Sequence, residues 1–492
     1  MSPETARRTR RFFVAALGAT ALAPAPAAAQ QPPAPSASAA DWRSERPPVP
    51  PAEPPVLPEF QRARLENGLV LMATRVPGVP VVSFELVTRG GAALDPKGKA
   101  GLSGLTYDLL SEGTESLDAL AFSDRVADFG ARFGSSAGRE AGSVTIVGLA
   151  RHGDALVDLL AQAVRTPRLA AADFQRVRAE RLANLQRQLA SPQGIAFQEF
   201  PEMIYGPEHP FGHPPSGSLE SIRKIALDDV KAQAQRLLVP GASALVAAGD
   251  IDLATLEKLA RAHFGTWTGP NPGDRSVPAV EPRARRSLVV LDKPGLPQAL
   301  LLFGRPVFGR GHPDELPLEL LNQVVGGTFS SRLNMNLRED KGYTYGASTR
   351  VALRNGVGVL LGYASVQNPH AAASLKEALG ELERLDAEPP TPEELRRAKD
   401  GIVRSLTGRF ETSGSVASAA ASLFLYELPL DHLSTLGPRY REVERERVLD
   451  ARRYFDPAQM QVLWVGDASV IVPQLEAAGF DPVEIRQIPT GP

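Results

Sequence analysis

The sequence predicts an α+β protein built from two homologous domains, each a mixed β-sheet packed with long helices. Three observations carry this: a strand pattern that recurs in order, amphipathic helices between the recurring strands, and a Pro/Gly-rich stretch at the midpoint. Pro80–Val87 reads as a buried strand, and so does Pro297–Phe303 about 217 positions later. Gly142–Gly148 is matched by Gly356–Gly362, and Ser243–Asp250 by Met460–Asp467.

The elements follow in order. Asn67-Gly68, between Ala63–Glu66 and Leu69–Met72, has the turn chemistry of a β-hairpin. The middle strand of each half leads into a helix, Asp154–Val164 or Ala371–Leu385, and then into a second helix. The second helices start at Ala171-Ala172-Asp173-Phe174 and Thr391-Pro392-Glu393-Glu394, with acidic first turns that suit the positive end of the helix dipole. The stretch Thr266–Pro282 separates the halves. The expected boundaries are 59–268 and 286–484 for the two domains, with a linker over 269–285.

Residues 1–58 read differently. Arg7, Arg8, Arg10 and Arg11 precede an uncharged stretch to Ala29, and Ala27-Ala28-Ala29 has the small-residue form of a signal-peptidase site. The strongly apolar part, Phe12–Ala23, makes a helix of only ~18 Å, short of the ~30 Å hydrocarbon core. Residues 1–29 are therefore expected to be a cleaved signal peptide, and the chain to be exported to the periplasm. Thr9-Arg10-Arg11-Phe12-Phe13-Val14 also resembles a twin-arginine signal, so both export routes stay open. Residues 30–58, rich in Pro, Ala and Ser, read as an extended linker. No other segment is apolar enough to predict a stable membrane span.

Composition excludes several functions. The 492 residues hold 54 Lys plus Arg against 56 Asp plus Glu, a formal charge of −2 that gives no electrostatic reason to expect nucleic acid. There is no cysteine, which removes disulfides, thiol nucleophiles and thiolate zinc sites. Gly134-Ser135-Ser136-Ala137-Gly138 matches G-x-S-x-G, but the expected context is a helix before it (Ser123–Phe133) and a strand after it, the reverse of a nucleophile elbow. Gly98-Lys99 lacks the rest of a phosphate loop, and Arg283–Arg286 reads as a solvated linker end. His209 and His213 flank Pro210 and Gly212, so they belong to a loop and not to one helix face.

Arg64-Leu65-Glu66-Asn67-Gly68-Leu69, the strand ending in Gly90-Gly91, and Gly101-Leu102 opening a helix resemble the pitrilysin-type zinc metallopeptidases. Tyr205-Gly206 through His209-Pro210-Phe211-Gly212, the Gly249-Asp250 strand end and Gly326-Gly327-Thr328-Phe329-Ser330-Ser331-Arg332-Leu333 fit the same family, over about Arg62 to Phe480. Insulin-degrading enzyme and the mitochondrial processing peptidase belong to it. The resemblance implies the duplicated architecture read above. It also implies an H-x-x-E-H helix, whose histidines bind zinc and whose glutamate is general base, plus a later glutamate ligand.

By register with that motif, Gly104 stands at the first histidine, Tyr107 at the glutamate and Asp108 at the second histidine. The third ligand position, about 76 residues further on, is Asn184 in RVRAERLANLQRQ. Glycine offers no ligand, an amide is a poor one, and a phenol with pKa ~10 is a poor base. Glu112 could add an oxygen beside Asp108, but two carboxylates suit a hard cation better than zinc. No zinc is expected in this chain.

The second half keeps an arginine and a tyrosine seven residues apart, Arg338 and Tyr345, after the Gly326-Gly327 loop. In the family such a pair reaches toward bound peptide. Tyr343 competes with Tyr345 for this role, and a surface Arg338 paired with Glu339 or Asp340, beside a tyrosine packed on the sheet, is the alternative without function. The resemblance thus implies a non-catalytic, peptide-binding subunit. Zinc would lie in a homologous H-x-x-E-H partner, the two closing around unfolded peptides. The competing expectation is a stand-alone binding or scaffold protein of the same fold.

Overall fold

Each half of the chain builds one six-stranded mixed sheet, and the two sheets have the same internal order. The computed structural model describes residues 50, 53, 57, 59–76 and 78–488. The expected signal peptide and nearly all of the 30–58 linker lie outside the described residues. The first sheet comprises β1 (Gln61–Arg64), β2 (Val70–Arg75), β3 (Val81–Arg89), β4 (Arg132–Ala137), β5 (Ala141–Leu149) and β6 (Ser243–Gly249), in the order β1-β2-β6-β3-β5-β4. The second comprises β7 (Ser287–Asp292), β8 (Gln298–Phe308), β9 (Thr344–Ala352), β10 (Val357–Gln367), β11 (Gln461–Gly466) and β12 (Glu484–Gln487), in the order β12-β7-β11-β8-β10-β9.

The pairings correspond as well. β2–β6 and β7–β11 are parallel, whereas β3–β6, β3–β5, β8–β11 and β8–β10 are antiparallel. Only the outer edge differs. β1 comes from the N-terminal hairpin and pairs antiparallel with β2, while β12 comes from the end of the chain and pairs parallel with β7. Asn67 fixes the hairpin by donating from Nδ2 to the carbonyls of Phe264 (2.8 Å) and Trp267 (3.0 Å). Residues 267–286, between the sheets, contain no helix or strand. Arg275 in this segment donates through Nη2 to the Arg236 carbonyl at 2.7 Å.

Central strands are apolar on both faces because both faces are covered. On β6, Leu245 and Ala247 point into the core shared with the first half's own helices, and Ala244, Val246 and Ala248 point the other way. That other face is covered by a helix of the second half, Ser413–Leu425, through Val416, Ala417, Ala420, Ala421 and Phe424. The arrangement is reciprocal. The helix Pro192–Tyr205 of the first half lays Ile195, Phe200, Met203 and Ile204 on Leu300 and Leu302 of β8 and Leu463 and Val465 of β11. Glu85 on β3 lies buried under the Ser413–Leu425 helix, where it accepts from Ser418 Oγ at 2.9 Å, and burial raises its pKa.

One expectation is corrected here. The helix before the G-x-S-x-G match spans Ala119–Asp128, and Gly134–Ala137 lie on β4 instead of at a turn. Gly130 and Ala131 end the helix early, and Phe133 pairs in register with Ile146 of β5. Ser135 Oγ donates to the Tyr107 carbonyl at 2.5 Å. No nucleophile elbow exists at this place.

Candidate functional site

The residues singled out from the sequence fall in two places. The first is the helix Leu102–Leu110, which carries Gly104, Tyr107 and Asp108. Gly101, at φ 92°, turns the chain into it, a left-handed conformation that glycine adopts without strain. Asp95 accepts from the Gly101 and Ser103 backbone N–H groups, both at 2.8 Å, which satisfies donors at the helix start. Burial pushes the Asp95 carboxyl up to about 6.

Tyr107 points into the core, not into a cleft. It is only 1% exposed, burial pushes its phenol up to about 12, and its hydroxyl lies toward Thr88 without making a regular hydrogen bond. Its ring lies across Gly142 of β5: a β-carbon there would come within 2.0 Å of Tyr107 Cζ. This strand glycine is thus the reason a large aromatic fits beneath the helix, a role the sequence did not disclose.

Asp108 faces the helix Ala171–Leu189 across a cavity of about 570 Å³, lined also by Glu112, Glu180, Arg181 and Asn184. Arg181 directs Nε (3.1 Å) and Nη2 (2.5 Å) onto Asp108 Oδ2. Glu112 pairs with Arg176, which also holds Glu180 at 2.9 Å, so Glu112 is not available beside Asp108. Asn184 accepts from Arg187. Among the described residues no three His, Cys, Asp or Glu side chains form a group able to hold a metal ion. The donor set does not fit zinc: Gly104 offers nothing, Asp108 is committed to a guanidinium, and Asn184 is an amide. His209 and His213 lie in a loop, where His209 Nε2 is 3.1 Å from the Pro278 carbonyl.

The second place lies at the end of β9. Two π-helical segments, Gln323–Gly327 and Met335–Asp340, flank the short helix Arg332–Asn334. Gly326 is buried against β9, where a β-carbon would meet Thr349 Oγ1 at 2.4 Å, whereas Gly327 is exposed. Gly326 therefore serves close helix–strand approach.

Arg338, on the second π-helical segment, donates through Nη1 to the Tyr345 carbonyl at 3.0 Å and pairs through Nε with Glu339 at 3.0 Å. Its guanidinium lies 4.7 Å from the Phe329 ring centroid, a cation–π contact. Nη2 makes no hydrogen bond among the described residues. Tyr345 is 84% exposed and Phe329 64%, with Met335 also exposed three residues before Arg338. Tyr343 differs: it is half-buried and stacks on His370 at 4.5 Å. Phe329 and Met335 were not singled out from the sequence. The arrangement, a cation among open aromatic faces, can donate to a peptide carbonyl or carboxylate and bury apolar side chains.

Comparisons with known proteins bear on most of the chain. Residues 71–209 match the family model described as insulinase (peptidase family M16), and residues 224–402 match the one described as peptidase M16 inactive domain. The non-peptidase homolog YmxG of Helicobacter pylori is 24% identical over 374 residues, covering 76% of this chain and 85% of that protein. The uncharacterized zinc protease Rv2782c of Mycobacterium tuberculosis is 25% identical over 369 residues, 74% of this chain and 83% of that one. Subunit 1 of the bovine mitochondrial cytochrome b-c1 complex is 25% identical over 271 residues, 55% of this chain and 56% of the subunit. In fold, the chain matches a crystal structure of a peptidase M16 inactive domain from Pseudomonas fluorescens with a TM-score of 0.77. The match covers 83% of this chain and 98% of that one at 23% identity. With both family models matched in order, and the duplicated α+β architecture agreeing with them, the chain belongs to peptidase family M16.

Proposed function

We propose that this chain is the non-catalytic, peptide-binding subunit of an exported heteromeric zinc peptidase, working with an H-x-x-E-H homologue that holds the metal. One observation carries the reading. The zinc positions are taken up by internal structure, while Arg338, Tyr345 and Phe329 present an unfilled donor and open aromatic faces. A composite active site needs only one metal-bearing half, and the other half can supply groups that hold peptide and stabilise developing negative charge. A relative named as a subunit of the cytochrome b-c1 complex supports a role within an assembly. The basic, apolar and small-residue segments at the start of the sequence support export.

The test is turnover of the reconstituted pair at saturating peptide. Arg338→Ala and Tyr345→Phe are expected to lower kcat ~10²–10³-fold with assembly intact, the usual effect of losing an oxyanion donor. Tyr343→Phe serves as internal control. A fall only for Tyr343→Phe would move the role to that residue. Unchanged turnover in all three would leave the chain a scaffold.

A further inference from the structure

A cation already stands where the family's metal would be. Gly104 and Asp108 lie one helical turn apart on one helix, and Arg181 and Asn184 lie three residues apart on another, so each pair shares a face. A β-carbon on Gly104 would come within 3.0 Å of both Arg181 Nη atoms and 3.2 Å of Cζ. The guanidinium therefore fills the space that a side chain at 104 would need. Two of its nitrogens converge on one oxygen of Asp108, and Nη1 is 3.5 Å from the Ser216 carbonyl. Arginine keeps its charge under all physiological conditions and is more weakly hydrated than an ammonium, which suits it to a partly buried ion pair.

We propose that Arg181 is a built-in replacement for the metal ion. It ties the Leu102–Leu110 helix to the Ala171–Leu189 helix as a shared cation would, and it keeps metal out even when the missing ligands are restored. A histidine at 104 would have to displace the guanidinium, and a dication bound in the same cavity would be repelled by its positive charge. The inference concerns this chain alone and does not depend on a partner subunit.

The first test restores three ligands in the full chain, Gly104→His, Asp108→His and Asn184→Glu, with Arg181 either kept or changed to Met. Zinc is titrated by calorimetry and counted by metal analysis after dialysis. The variant that keeps Arg181 is expected to hold no stoichiometric zinc, and the added Arg181→Met to bind one zinc at least 100-fold tighter. Equal affinity with Arg181 kept or removed, or no zinc in either, would overturn the exclusion role. The second test uses single variants of the otherwise unaltered chain. Arg181→Met, which keeps the aliphatic stem, should lower the melting temperature by several degrees, and Arg181→Lys should recover part of the loss. A methionine variant that melts like the parent would overturn the tie between the helices.

Discussion

Arg181 and Arg338 are the same kind of side chain in opposite circumstances. Arg181 is 17% exposed, sits in the space above Gly104, and is bound at two nitrogens to Asp108. Arg338 is 40% exposed and shares its charge with Glu339, its neighbour in sequence. One face of its guanidinium lies on Phe329, and Nη2 is left without a partner among the described residues. Around Arg181 every sequence-marked residue is either paired or packed. Around Arg338 the aromatic surfaces remain open. The contrast teaches that one half of the fold has turned a reactive position into framework, while the other has kept a surface on which something else can be laid.

This comparison can be broken most easily at Tyr107. Tyr107→Ala should cost ~3–5 kcal/mol of stability, the usual loss for a large buried aromatic that leaves a cavity. Tyr107→Phe should cost nothing or stabilise, because the hydroxyl it removes is buried without a regular hydrogen bond. Urea unfolding of both variants decides the matter. A strong loss for Tyr107→Phe would mean that the hydroxyl has work to do, and the closed region would no longer be mere framework.

A smaller effect is expected at Asp95, which holds the start of the same helix. Burial lifts its folded-state pKa to about 6 from an ordinary value of 3.8. Between these values the folded chain carries more bound protons than the unfolded chain, so stability should fall as pH rises from about 4 to 6. Two units correspond to at most about 3 kcal/mol. Asp95→Asn should flatten that slope, read from urea midpoints at pH 4.5 and 7; an identical slope in the variant would assign it to other groups. The smallest effect belongs to the open region. Tyr345→Ala should change stability by less than about 0.5 kcal/mol, because the side chain is 84% exposed. A loss above about 2 kcal/mol in thermal unfolding would show the patch to be structural after all.

Much of this fold was legible because its strands are buried on both sides and read as continuous apolar runs. Ser243–Gly249 and Gln461–Gly466 stand out in the sequence for that reason. What covers their far faces was not legible. Neither Pro192–Tyr205 nor Ser413–Leu425 is among the helices expected from the sequence, and no periodicity states that each serves the sheet of the other half. At the first site, the absent ligands could be read from Gly104 and Asn184, but not what took their place. RVRAERLANLQRQ contains several arginines, and only the bare backbone at 104 decides which of them turns inward. At the second site, Arg338 and Tyr345 were marked by the family resemblance and not by spacing alone, which equally fits a surface arginine and a packed tyrosine. Phe329 sits in a glycine-rich block and carries no mark of its own, because an exposed aromatic has no pattern that separates it from a buried one.

The reciprocal placement of the two helices has a consequence for how the protein comes apart. Each half packs a core of its own on one face of its sheet, but the other face is covered by a helix encoded in the other half. Peeling one half away exposes apolar faces on both, Leu300 and Leu463 on one side and Val246 and Met72 on the other. The duplicated halves are therefore repeats in ancestry but coupled in thermodynamics: calorimetry is expected to show them melting in one transition, because separating them would uncover both shared faces.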